Sequence, residues 1–137
     1  MTGFQLHHVG VAVADIAAAL PFYKQAFGLA LVSGPFADPI QKVTVCFVGS
    51  HPCLIELIQP LGGDSPINRT LAQGLGAYHL CYEVADLGNT LLSLRAQKCV
   101  PVGDPVPAVA FGGRRIAWMM TPTKQLVELL EQNSALK

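Results

Sequence analysis

The chain has 137 residues, enough for one ordinary domain, and its nine basic and nine acidic residues give a formal net charge of zero. Only 13% of the residues are charged and 51% are hydrophobic, against about 25% charged residues in an average domain. This excess of apolar residues predicts an oligomer interface or a cup lined by a sheet. The balanced charge, with no basic stripe, argues against nucleic acid as a partner, and no apolar run reaches the roughly 18 residues of a membrane helix.

The four cysteines bear on the compartment in which the protein works. Cys46, Cys53, Cys81 and Cys99 form no CxxC motif and have no zinc-ribbon spacing, a pattern typical of thiols in a reducing environment. The first residues carry no charged leader, and Asp15 interrupts their apolar stretch. The sequence therefore predicts a cytoplasmic protein.

The first half of the chain begins with a strand over Leu6–Val13 that has two different faces. Its valines share one face, which predicts a helix packed over them. On the other face His8 is followed by the small residues Gly10 and Ala12, which predicts space above the sheet.

A helix follows this strand. Asp15 is a typical N-cap residue and Gly28 a typical residue at the end of a helix, and the apolar stripe between them consists of Ile16, Leu20, Tyr23 and Phe27. Pro21 lies inside the helix and predicts a kink. Three further strands are expected around Leu29–Ser33, Val43–Val48 and Cys53–Ile58.

The second half repeats this order after a short linking helix, about residues 64–76, which Ser65 and Pro66 open. A strand over His79–Val84 is followed by a helix that Asp86 caps and that carries Leu87, Leu91 and Leu94. Strands around Val100–Gly103, Arg115–Met120 and Gln125–Leu130 complete it. The sequence predicts an α+β fold of two tandem βαβββ modules, about residues 5–60 and 77–132, that form a cupped mixed sheet within a single domain over residues 1–137.

The duplication also repeats residues that can bind a metal ion. His8 and His79 are 79 − 8 = 71 positions apart, and Glu56 and Glu128 are 128 − 56 = 72 positions apart. Each half opens with a histidine and ends with a glutamate inside an apolar strand, where a carboxylate is costly unless it is paired or bound to metal. If the halves close on each other, His8, Glu56, His79 and Glu128 hold one divalent ion, for which cobalt, manganese, nickel and zinc are all suitable.

These residues resemble the vicinal oxygen chelate superfamily, which contains glyoxalase I, and within it the methylmalonyl-CoA epimerases. The resemblance runs from His8-Val9-Gly10-Val11-Ala12 through Phe22-Tyr23 and Glu56-Leu57 to His79, Glu83-Val84-Ala85-Asp86 and Val127-Glu128-Leu129. Its most specific part is the linker Pro60-Leu61-Gly62 with Asp64-Ser65-Pro66-Ile67, because strand periodicity does not dictate a linker.

The resemblance implies the same four metal ligands and a dimer in which one chain builds each site. It also implies removal of an α-proton from an acyl-CoA thioester, with Glu128 and Glu56 as the candidate catalytic carboxylates. Three stretches depart from the epimerases, and one of them is Thr121-Pro122-Thr123, where the family usually has His-Pro-Lys. The third strand reads Val43-Thr44-Val45, where some epimerases place a glutamate base, and Pro105–Gly113 is unusually apolar for a loop near the thioester.

Two other functions stay open at this point. One is a glyoxalase I-like lyase, which uses the same ligand set on a glutathione hemithioacetal; the other is a metal-free binding protein of the bleomycin-resistance kind. An extradiol dioxygenase fits less well, because it uses two histidines and one carboxylate.

The remaining polar residues have simpler interpretations. Glu83 lies about 13 Å along the strand from His79, so we expect a salt bridge at the rim. His7 is expected to pack away from the site, His51 to be solvated, and Cys81 to be an apolar filler. Arg114 and Arg115 are either phosphate contacts or solvated.

Overall fold

The computed structural model describes residues 3–132, which contain nine strands, three α-helices and one 3-10 helix. The elements of the first half are β1 (Gln5–Ala12), α1 (Ile16–Phe27), β2 (Leu31–Asp38), β3 (Val43–Ser50) and β4 (Cys53–Pro60), followed by the linking helix α2 (Ile67–Ala72). Those of the second half are β5 (Ala77–Val84), α3 (Leu87–Ala96), β6 (Val100–Pro101), β7 (Val106–Pro107), the 3-10 helix (Val109–Phe111), β8 (Arg115–Met120) and β9 (Leu126–Glu131).

The described residues divide into two compact units. We call residues 8–78 the N-terminal unit, and residues 3–7 together with 79–132 the C-terminal unit. In the N-terminal unit the strand order is β2-β3-β4-β1, and in the C-terminal unit it is β6-β8-β9-β5, with β7 also paired to β8. In both units the first strand pairs in parallel with the last one, and the other neighbours are antiparallel. The backbone thus confirms the α+β class and the duplication that the sequence predicts.

Each unit packs one helix against one face of its sheet. In the N-terminal unit the valine face of β1 lies under α1, where Val11 and Val13 contact a buried cluster around Ile16 and Leu57. In the C-terminal unit α3 covers an equivalent cluster around Val84 and Leu129. The alternation of apolar side chains along the strands predicts both clusters correctly, and the opposite face of each sheet remains for other contacts.

The helix ends follow their capping residues. The Asp15 side chain accepts a hydrogen bond from the backbone N–H of Ala17, and Gly28 ends α1 at φ 71°, in the left-handed region that favours glycine. Asp86 accepts from the N–H of Asn89 at the start of α3, and the hydroxyl of Ser65 accepts from the N–H of Ile67 at the start of α2. All three caps are confirmed.

One assignment within α1 was wrong. Phe27 was expected on the buried stripe, but 61% of it is exposed. It lies in the last turn, where its ring contacts those of Phe22 and Tyr23. The 3.6-residue period places Phe27 near the stripe, yet by the last turn the helix no longer buries that position.

The segment 105–113 also differs from the loop that the sequence indicated. It contains the short strand β7 and the 3-10 helix, and Gly112 ends the latter at φ 64°. Val106, Ala108 and Phe111 pack against Cys81 and a cluster on the face of the sheet opposite α3. The apolar composition of this segment is explained by that packing.

Leucines at equivalent places in the two units allow a stability test. Leu57 and Leu129 are fully buried, each under the helix of its own unit. We expect Leu57→Ala and Leu129→Ala each to lower the free energy of unfolding by about 2–5 kcal/mol, measured by urea denaturation, because each leaves a cavity. Leu92→Ala is the control; Leu92 is 67% exposed, and its loss is expected to change the stability by less than about 0.5 kcal/mol. Wild-type stability of both buried variants would contradict the packing described.

Candidate metal centre

The N-terminal unit brings His8 and Glu56 together. The parallel pairing of β1 with β4 sets Gly10 opposite Glu56, so His8, two residues earlier on the same face, lies beside the glutamate. The distance from His8 Nε2 to Glu56 Oε1 is 3.3 Å, and both side chains are buried. Gly10 and Ala12 share this face and are buried.

The C-terminal unit repeats the arrangement with His79 and Glu128. The parallel pairing of β5 with β9 sets Cys81 opposite Glu128, and His79 again lies two residues before the residue in register. The distance from His79 Nε2 to Glu128 Oε1 is 3.1 Å, and both residues are buried. The same two-residue offset therefore occurs in both parallel strand pairs.

The distances within each pair suit two ligands of one ion. Metal–nitrogen and metal–oxygen bonds of about 2.0–2.2 Å place neighbouring ligands at right angles roughly 3.0 Å apart. The observed 3.3 Å and 3.1 Å are close to that value. Imidazole nitrogen and carboxylate oxygen are ordinary donors for divalent transition metals. Each pair therefore fits as half of a ligand set, and each buried carboxylate already has a partner that offsets the cost of its burial.

An aromatic ring stands against each histidine, which the sequence reasoning missed. The ring of Phe47 meets that of His8 edge to face at a centroid distance of 5.2 Å, and the ring of Trp118 meets that of His79 at 4.7 Å. The signal was available, because Phe47 and Trp118 are 118 − 47 = 71 positions apart, the same step as the two histidines.

A buried thiol lies behind the N-terminal pair. Burial, followed by the negative charge of Glu56, raises the pKa of Cys46 to about 11. Its thiol therefore stays protonated near neutral pH and acts as an apolar filler. Cys81, two residues from His79, is likewise fully buried within an apolar cluster, as the sequence predicts.

In the N-terminal unit the sequence proposes Glu56 as a catalytic carboxylate, and neither β3 nor Asp38 offers a second one beside it. β3 carries no acid over Val43-Thr44-Val45. Asp38, at the end of β2, is buried and accepts hydrogen bonds from the backbone N–H groups of Ile40 and Gln41 and from the Gln41 side chain. Asp38 thus holds the turn between β2 and β3 together.

Both arginines form ion pairs with glutamates, and Arg115 is also exposed to solvent. Arg114 donates to Glu83 at 2.6 Å and its guanidinium lies over the ring of Phe111, while Arg115 forms an ion pair with Glu131 at 2.9 Å. Glu83 therefore forms the predicted salt bridge, and both cations already have carboxylate partners. His7 contacts the Phe111 ring, and a ring nitrogen of His7 lies within 4.8 Å of the Cys81 thiol on the face that carries His79, so its expected place away from the site is wrong. His51 is exposed, as expected.

The comparisons with known proteins identify the family. A model described as the glyoxalase/bleomycin resistance protein/dioxygenase superfamily matches residues 7–118. The chain belongs to this superfamily. Within residues 3–132, none of the helices has the length and apolar character to cross a membrane.

Several similar proteins are named as methylmalonyl-CoA epimerases. The chain is 33% identical over 132 residues to a mitochondrial methylmalonyl-CoA epimerase of Dictyostelium discoideum, which covers 93% of this chain and 78% of that protein. It is 33% identical to an ethylmalonyl-CoA/methylmalonyl-CoA epimerase of Cereibacter sphaeroides, over 84% of this chain and 87% of that protein. A methylmalonyl-CoA epimerase structure from Mycobacterium tuberculosis superposes with a TM-score of 0.81 at 29% identity and covers 96% of this chain and 89% of that one. These findings confirm the predicted resemblance and fold.

Proposed function

We propose that the protein is a metal-dependent epimerase that exchanges the α-proton of an acyl-CoA thioester, with methylmalonyl-CoA as the first candidate substrate. The observation that carries the proposal is the buried His–Glu pair repeated in both units, at 3.3 Å and 3.1 Å. The relatives support the substrate class, since those at 33% identity that cover most of the chain are named as epimerases of such thioesters.

The proposed ligand set is His8, Glu56, His79 and Glu128, around one divalent ion. Both pairs have donor atoms of the right type and spacing, and the superfamily implies a shared site. This assignment means that the two modules, about residues 5–60 and 77–132, act as a single domain. Cobalt, manganese, nickel or zinc would suit two nitrogen and two oxygen donors, because such a set selects weakly among them.

The bound ion would supply Lewis acidity, which stabilises the enolate that forms when the α-proton leaves. The chain itself supplies the proton transfers. Epimerisation removes a proton on one face of the α-carbon and returns one on the other, so it requires two groups. We assign Glu128 to the first transfer and Glu56 to the second, because the duplication gives both the same setting.

The metal assignment is tested by removing one ligand. We expect His79→Ala to abolish stoichiometric binding of cobalt, measured by metal analysis after dialysis, because the loss of one of four donors weakens the site severely. His51→Ala is the matched control, since His51 is exposed in a turn. Circular dichroism should show that both variants remain folded. Full metal occupancy in folded His79→Ala would contradict the assignment.

The activity is tested by isotope exchange. In deuterated water the cobalt-loaded enzyme should wash deuterium into the α-position of methylmalonyl-CoA, followed by mass spectrometry. Glu128→Gln should slow the exchange at least a hundredfold, in line with the loss of a positioned base, while Glu83→Gln, which removes a carboxylate paired with Arg114, serves as control. Turnover of a glutathione hemithioacetal without thioester exchange would indicate a lyase. Neither reaction, with no metal bound, would indicate a binding protein.

We also propose a homodimer. The N-terminal unit leaves Phe22 and Phe27 on α1, and Leu31 and Val32 on β2, largely exposed. Within that unit β2 is an edge strand paired with β3, and exposed edges and apolar side chains favour association. Sedimentation at micromolar concentration should give twice the chain mass of 14.6 kDa. A monomer under those conditions would refute the dimer.

A cytoplasmic location is proposed on the chemistry of the thiols. No disulfide joins the four cysteines, all of which lie in the described residues. Cysteines that form no disulfide are the usual state in a reducing compartment.

A further inference from the structure

Trp118 links the histidine of the C-terminal unit to an anchored part of that unit. On β8 it lies in register with Glu128, the partner of His79. Its ring packs against an apolar cluster of Cys81, Ala108, Ile116 and Leu130, in which all four side chains are buried. The same ring meets the His79 imidazole at 4.7 Å with an interplanar angle of 83°. Trp118 is therefore held on one side and touches the candidate ligand on the other.

Phe47 occupies the equivalent place in the N-terminal unit. It lies on β3, in register with Glu56, and its ring meets His8 at 5.2 Å with an interplanar angle of 72°. Phe47 is buried, with 4% exposed. The strand, the register and the edge-to-face contact are all repeated, so the arrangement is a histidine, a glutamate and an aromatic ring in each unit.

The aromatic contacts restrict the rotation of the two imidazole rings, which the strand backbone does not fix. The backbone fixes where each histidine begins, but rotation about the bond between Cβ and the imidazole is broad. An aromatic face or edge against the imidazole removes that freedom. Groups that orient a ligand histidine commonly decide how well it binds metal.

We propose that Phe47 and Trp118 are matched positioning residues, which hold the imidazoles of His8 and His79 so that each Nε2 atom faces the paired glutamate. This inference rests on the proposed function in one respect, since the positioned imidazoles would preform the metal centre of that function. It goes beyond that function because the restraint on each imidazole exists before any ion binds. Neither aromatic residue touches substrate or ion in this role.

The first test measures metal affinity in variants that remove one ring. Trp118→Leu and Phe47→Leu should each raise the dissociation constant for cobalt, measured by competition with a chelator, roughly two- to tenfold, the scale of an aromatic pair contact. Trp118→Phe keeps an aromatic ring and should stay near the wild-type constant. Tyr82→Leu is the matched control, since Tyr82 is a partly buried aromatic residue of the same unit that packs under α3 and against Phe4.

The second test needs no metal. Carbon-13 relaxation at the Cε1 atom of each imidazole reports how far the ring moves. In the metal-free protein, Trp118→Leu should increase the motion of His79 and leave His8 unchanged, Phe47→Leu should do the reverse, and Tyr82→Leu should change neither. A general loss of stability would not give this selective pattern.

The two tests separate the inference from the proposed function. If the wild type binds no metal, the proposed function fails and the relaxation data still decide whether the rings position the histidines. Unchanged imidazole motion in both ring variants would overturn the inference, as would wild-type cobalt affinity in both when the wild type does bind cobalt. If Trp118→Leu does not fold, Phe47→Leu supplies the test, because Phe47 lies in the other unit.

Discussion

The burial of a carboxylate in an apolar sheet is the constraint on which the rest of this structure depends. Glu56 and Glu128 each lie within a strand whose neighbours are apolar, and an unpartnered charge there is strongly unfavourable. In both units the remedy is the same: the first strand pairs in parallel with the last strand and brings a histidine to the glutamate. The connection between these two parallel strands runs through the helix and the intervening strands of each unit, because parallel strands cannot be joined by a tight turn. The connection between the first and last strands defines the fold of each unit and also brings the histidine and the glutamate together.

The duplication gives this arrangement its chemical meaning. A single His–Glu pair is an unremarkable buried hydrogen bond, whereas two pairs with the same offset and nearly the same distance have the composition of a four-donor set. The two faces of each sheet also have separate roles. One face carries the helix and most of the apolar packing, and the other carries the pair, with its aromatic ring.

The face of the sheet that carries the His–Glu pair is covered differently in the C-terminal unit. Where the N-terminal unit has the longer strand β2, the C-terminal unit has the short strands β6 and β7 and a 3-10 helix. Val106, Ala108 and Phe111 cover Cys81 and Ile116, and Arg114 joins Phe111 to Glu83. These contacts place an apolar wall and one ion pair along the same face as His79. The unusual composition of the segment from Pro105 to Gly113 is thus a feature of packing beside the candidate site.

The sequence by itself determined the features that depend on neighbours along the chain. Alternation in the strands assigned His8 and His79 to the faces opposite the helices, and Asp15, Ser65 and Asp86 marked the helix starts, because a cap bonds to residues only two or three positions away. The repeat of about 71 residues selected the two histidines and two glutamates. Tertiary structure alone decided what depends on register between distant strands. It set the 3.1 Å contact of His79 with Glu128, it placed Arg114 on Glu83, and it brought Phe47 and Trp118 against the imidazoles. Residues 31 to 49 positions apart in the chain meet only after strands pair, and no local pattern encodes which side chains then touch.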